Sequence, residues 1–203
     1  PTAALAFASP WHAVRKVLRD VPLRRLTVVA FCLTNIQAIV MAFLVIILVK
    51  QVELEFTLAG AIFAASQAAG AALRITMGWI ADRALGTRAT LVMLGLASSV
   101  ALVALTTLGP QSPLPLVIAL SVTAGSLCFG WNGVFLAEVA SLAAPHEVGA
   151  ATGGSLFFLY AGVVFGPLMM SLLITLTGGY NIPMYGVAAV TIAACLNLLR
   201  SRA

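Results

Sequence analysis

The sequence predicts an all-α integral membrane protein with six transmembrane helices. Composition is the first reason: of 203 residues, 62% are hydrophobic and only 8% are charged. Soluble domains carry about 25% charged residues, and a globule of this length in water could not hide so much apolar surface. The second reason is pattern. Six long apolar runs are separated by short polar or turn-rich stretches, and about 20 apolar residues cross the roughly 30 Å of hydrocarbon. Lipid admits only helices and closed barrels. These runs do not alternate polar and apolar residues as barrel strands would.

In chain order, Ser9 and Pro10 open a short amphipathic helix, since serine suits the cap and proline the first helical position. Trp11, Val14, Val17 and Leu18 are its apolar residues, and Arg15, Lys16 and Arg19 its basic ones. Such a helix lies along a membrane surface. Arg24 and Arg25 complete a leader over residues 1–25. The bundle occupies 26–199, with spans at 26–49, 56–81, 89–108, 114–137, 148–176 and 182–199, and a tail at 200–203. The breaks between spans are a polar loop from Lys50 to Glu55, a charged hinge around Asp82, and the cluster Gly109-Pro110-Gln111-Ser112-Pro113. A loop with Pro145 and His146 and the turn Gly178-Gly179-Tyr180-Asn181 complete the series. Proline and glycine clusters of this kind end helices. The chain begins at Pro1 rather than Met, and its simplest interpretation is a piece of a longer protein.

The net charge of +5 and pI near 9.7 raise nucleic acid as a partner. No aromatic and basic residues interleave as a base-stacking surface needs, so no nucleic-acid partner is expected. Charge placement points to topology instead. Arg15, Lys16, Arg19, Arg24, Arg25, Arg83, Arg88, Arg200 and Arg202 fall on one side of the spans, Lys50 on the other, and Arg74 within a span. Positive residues stay inside, so both termini are expected in the cytoplasm. Cys32, Cys128 and Cys195 all lie within apolar runs and lack metal or disulfide spacing. His12 and His146 lie outside the spans, and no serine, acid or metal set occurs at depth. An intramembrane enzyme is therefore not expected, nor a metal or other cofactor. Every Asp and Glu sits near a span end, which leaves this segment without an evident proton carrier.

The most informative stretch is Gly78-Trp79-Ile80-Ala81-Asp82-Arg83-Ala84-Leu85-Gly86-Thr87-Arg88. It resembles the loop motif of the major facilitator superfamily of transporters, which recurs between the second and third helices of each six-helix half. Two residues, Ala84 and Leu85, separate the Asp-Arg pair from Gly86 where one is usual, and Thr87 replaces an arginine. The resemblance implies half of a major facilitator fold, built as a three-plus-three inverted repeat. The basic leader resembles the linker between halves. The run Trp131 to Ala140, followed by Pro145 and Gly149-Ala150-Ala151-Thr152-Gly153, is similar to helices ten and eleven of bacterial members. These features imply a C-terminal half in a bacterial inner membrane, with the N-terminal six-helix half as its missing partner beside lipid. Gly162-x-x-x-Gly166-Pro167 is similar to a glycine-proline motif of antiporters, and equally fits close helix packing with a kink.

Arg74 lies about 10 Å from Ala81 along a helix, nearer the midplane than the surface. An arginine there costs at least about 2.5–3.5 kcal/mol on insertion scales and faces a cavity or a partner. One role is a guanidinium fork for an anionic solute. The other is structural pairing, with Glu138 or with an acid of the missing half. Arg74-x-x-x-Gly78-x-x-x-Asp82 is similar to the eighth helix of oxalate and monocarboxylate porters, where that arginine is credited with holding a carboxylate. Ile75 and Gly70 depart from that pattern. Asn35, Gln37 and Asn132 are midplane amides, either solute contacts or interhelical hydrogen bonds. Thr34, Gln37 and Met41 share one face of the first span, and Asn35 points about 200° from Gln37. Ser121, Gly125, Cys128 and Asn132 share a face of the fourth. Gly78, Asp82, Arg83, Gly86 and Arg88 are expected to form a conformational latch, or else a solvated helix end and topology signal. The expected activity is secondary transport by alternating access, as symporter or antiporter. A small organic anion is the favoured small-molecule substrate, with drug or sugar transport or a non-transporting scaffold as alternatives.

Overall fold

The computed structural model describes residues 10–200. Those residues form seven α-helices: α1 Pro10–Arg19, α2 Val21–Lys50, α3 Phe56–Ile80, α4 Thr87–Leu105, α5 Leu114–Leu142, α6 Val148–Thr177 and α7 Asn181–Arg200. All but α1 are long and apolar enough to cross a membrane. The described residues contain no β-strand. Ser9, expected to cap α1, and Arg202 lie outside the described residues.

Local chemistry sets the boundaries. Asp20 is extended between α1 and α2, and its side chain accepts the backbone N–H of Leu23 while Pro22 occupies the first turn. That cap starts α2 at Val21, so Arg24 and Arg25 lie inside the helix and not ahead of it. Arg24 donates to the carbonyl of Leu18 at 3.0 Å, closing the corner. The third span ends at Leu105 rather than at 108, because Thr106 and Thr107 turn their hydroxyls back onto Val103 and Ala104. Conversely, α5 runs on through Glu138 to Leu142. Gly178 closes α6 in the left-handed region (φ 74°), with its N–H on the carbonyl of Ile174.

The helix partnerships have a two-fold pattern. The pairs are α2 with α6, α3 with α5, α4 with α7, α4 with α5, α2 with α7, and α2 with α5. Exchanging the first three spans for the last three converts α2–α6 into α5–α3 and α4–α5 into α7–α2. The remaining two pairs map onto themselves. This is the three-plus-three inverted repeat. Small residues set the closest approaches. A Cβ on Gly125 would strike the Ser66 side chain, and one on Gly95 would strike Cys195. Two apolar clusters fill the ends of the bundle, one around Leu26, Trp131 and Phe135, the other around Leu44, Leu48 and Met184. The symmetry-related pair α3 and α6 is the least covered. Only 22% of each one's most apolar window is buried, against 56% for α2 and for α4.

Candidate functional site

Between the two apolar clusters, α2, α5 and α6 line a half-open cavity of about 270 Å³. Thr34, Gln37 and Met41 reach it from α2, Trp131 and Asn132 from α5, and Leu156, Leu159, Tyr160 and Val163 from α6. Most of these residues lie within two or three turns of their helix midpoints, which puts the cavity near the membrane midplane. Asn132 Nδ2 faces Gln37 Oε1 at 3.4 Å, a long hydrogen bond between two helices. Thr34 Oγ1 and Trp131 Nε1 are buried and have no partner among the described residues. No charged side chain lines the cavity.

The expected face Thr34, Gln37 and Met41 is thus one wall of a cavity, and Asn132 is brought to it. Asn35 is not. It turns to α6 on the opposite side of α2 and donates to the carbonyl of Phe31 at 2.8 Å. A Cβ on Gly162 or Gly166 would stand 2.9 Å or 2.5 Å from the Asn35 amide. The two glycines therefore make room for α2, and Pro167 continues within an unbroken α6. Ser121, Gly125 and Cys128, although on the helical face of Asn132, are buried against neighbouring helices and do not line the cavity.

Arg74 sits elsewhere. Because α3 continues as a π-helical turn over Ala81–Leu85, the whole rod is 30 residues long. Arg74 is then about 5 Å from its midpoint at 1.5 Å per residue, in agreement with the depth expected from the sequence. Its side chain is exposed on the surface of the six-helix unit. Its Nε lies 3.9 Å from where a Cβ on Gly133 would be, so it runs along α5 one residue beyond Asn132. Glu138 does not pair with it: Glu138 accepts the hydroxyl of Thr87. Among the described residues the one ion pair is Lys16 with Glu147.

At the end of the bundle, the hinge from Gly78 to Arg88 divides into two groups. Gly86 has φ 76° and ψ 153°, a conformation essentially reserved for glycine, and it starts α4 directly after the π turn. Asp82 and Arg83 are exposed, and Arg83 lies over the Trp79 ring at 5.4 Å. No described atom comes within 4 Å of a Cβ on Gly78, so no described helix packs closely there. Arg88 is engaged within the chain, donating to the carbonyl of Leu198 in the last turn of α7. Thr87, which departs from the motif's arginine, instead ties the hinge to Glu138 of α5.

Residues 26–202 match the family description Major Facilitator Superfamily. The chain belongs to the major facilitator superfamily. A solved structure of a fucose:proton symporter from E. coli, FucP, is similar with a TM-score of 0.77 at 11% identity. The match covers 94% of this chain and 45% of that one, so the chain spans under half the length of the superfamily member it resembles. No curated protein sequence matches. The pairing of helices and the six spans place the chain as an integral membrane half of the major facilitator fold. Thr34 lay on a face marked by its spacing to Gln37 and Met41. Trp131 and Tyr160 had no such signal, because an aromatic residue in an apolar run looks the same in a core, in lipid or at a cavity.

Proposed function

We propose that this chain is the C-terminal half of a secondary transporter, which carries a small organic anion by alternating access between itself and an N-terminal six-helix half. The observation that carries the substrate class is Arg74. It is exposed near the middle of a membrane helix, and no acid among the described residues pairs with it. Left in lipid, that cation costs at least about 2.5–3.5 kcal/mol. A carboxylate brought by the solute relieves the cost and fits the bidentate geometry of a guanidinium. Gln37 and Asn132 hold each other only loosely and are poised to exchange that contact for solute oxygens. The exposed faces of α3 and α6 support docking of that half against them. On α3 this face carries Ala61, Ala64, Ala65, Ala68, Ala71 and Ala72 below Arg74, a surface that lets another helix approach closely. Asp82 and Arg83 face outward at the hinge, available to a helix terminus of that half as a latch. The distribution of positive residues supports both termini lying in the cytoplasm of a bacterial cell.

The test is uptake by the full-length transporter in proteoliposomes with Arg74→Gln, over a panel of carboxylates and neutral sugars. Loss of carboxylate transport, by tenfold or more in apparent affinity, supports the assignment. Unchanged uptake and affinity for every anion removes it. The uncharged lining of the cavity favours a second reading, a neutral polyhydroxylated solute held by Gln37, Asn132 and Thr34. Sugar uptake that survives Arg74→Gln but falls with Gln37→Ala would establish that one instead.

A further inference from the structure

Helix α1 packs against α6 and α2. A Cβ on Gly154 would run into the Ala13 carbonyl, so the backbone of α1 rests directly on α6, with Val17 buried beside it. Gly154 is six residues, about 9 Å, from the start of α6 at 1.5 Å per residue. The 30 residues of α6 span about 45 Å and overshoot a roughly 30 Å hydrocarbon core by about 7 Å at each end. Contact with Gly154 therefore fixes α1 at the boundary between headgroups and acyl chains, and a single residue, Asp20, separates the end of α1 from the start of the membrane-spanning α2.

At that depth its outward faces have a definite chemistry. Trp11 is 78% exposed and Leu18 is 50% exposed. They share one helix face, two turns and about 10 Å apart at a spacing of seven. Arg15 and Arg19, four apart, are exposed on the adjoining face. Together with His12, Lys16, Asp20 and Glu147 they line an open depression of about 430 Å³. Both acids of that depression are already used. Glu147 pairs with Lys16, and Asp20 accepts the Leu23 backbone N–H at 3.1 Å. No ion pair engages Arg15 or Arg19 among the described residues. The depression thus presents two guanidinium groups that no ion pair engages, with a net charge of +1 over Arg15, Lys16, Arg19, Asp20 and Glu147, beside an apolar wedge at headgroup level.

We propose that this face of α1 is a binding site for an anionic phospholipid, with Arg15 and Arg19 on the headgroup phosphate and Trp11 and Leu18 against the upper acyl chains. Guanidinium pairs bidentately with phosphate, and an indole belongs at the membrane interface. The inference needs only that the chain is an integral membrane protein, not that it carries any particular solute.

The test uses the full-length protein in detergent, with phosphatidylglycerol or phosphatidylcholine titrated in and bound lipids counted by native mass spectrometry. The parent should hold one phosphatidylglycerol that phosphatidylcholine does not displace and that free inorganic phosphate does not compete for. Arg15→Gln with Arg19→Gln should weaken it about thirtyfold, at roughly fivefold per basic residue near an anionic surface. Arg200→Gln, a basic change in α7, should leave it unchanged. Equal phosphatidylglycerol binding by parent and double variant overturns the proposal. So does an equal loss with Arg200→Gln, which would mean unspecific attraction. Loss of both lipids alike would mean that the face is an acyl contact or an interface with the rest of the transporter, and overturns it too.

Discussion

Gly86 shows how one residue can hold a hinge. Its φ of 76° with ψ of 153° excludes side chains, and a residue forced into such a region costs about 1–3 kcal/mol. Gly86→Ala should lower thermal stability by that amount, with the loss read from unfolding in detergent. No loss would mean that the turn relaxes freely. A second residue-level expectation concerns Glu147. The hydrogen bond from Lys16 holds its carboxyl below the ordinary carboxylate range, with partial desolvation opposing and the nearby positive charges helping. An acid with a depressed pKa contributes fully above its unfolded-state value and loses that contribution as pH falls through the lowered one. The docking of α1 should therefore be intact at neutral pH and loosen only in distinctly acidic solution. A spin label at Leu18→Cys should become mobile on acidification, and Glu147→Gln should remove that pH dependence. These residue roles were only partly legible in the sequence. The composition around Asp82 marks a hinge, but that Thr87 binds Glu138 and Arg88 binds the α7 terminus depends on helices far apart in the chain.

Among the helices, the pair α2 and α6 depends on what Gly162 and Gly166 leave open. Both face Asn35, and Gly162 also faces Phe31. Gly162→Leu should force the helices apart, lowering expression and thermal stability. Asn35→Ala should be mild by comparison, because its amide donates within its own helix. If Gly162→Leu folds and melts as the parent does, the close packing is not required. The opposite orientation of Asn35 and Gln37 was readable from the 3.6-residue period. Which of them meets the cavity was not, since periodicity ranks faces without naming their neighbours. The same limit explains why Ser121, Gly125 and Cys128 share a face with Asn132 yet fill a helix contact.

For the whole transporter, two outward groups carry the proposed cycle: Arg74 on the exposed face of α3, and Asp82 at the hinge. A latch that holds one access state changes rates between states more than contacts with solute. Asp82→Asn in the full-length protein should therefore cut turnover by tenfold or more and leave apparent solute affinity within about twofold. Unchanged turnover with shifted affinity would sink the latch. The low burial of α3 and α6 belongs to this level as well, because no sequence rule distinguishes a lipid-facing apolar surface from one awaiting another protein half.

The amino-acid sequence by itself determined the class of the protein: six helical spans, their approximate limits, the hinge and an arginine out of place in hydrocarbon. It could do so because lipid leaves the backbone almost no alternative to the helix, and because charge in a membrane is rare enough to be conspicuous. The tertiary structure alone decided which helices touch. Packing joined Gln37 and Asn132 across a cavity, sent Asn35 to the glycines of α6, denied Glu138 to Arg74, and seated α1 on Gly154. Each of those outcomes depends on shape complementarity between segments distant in the chain, and local composition does not encode it.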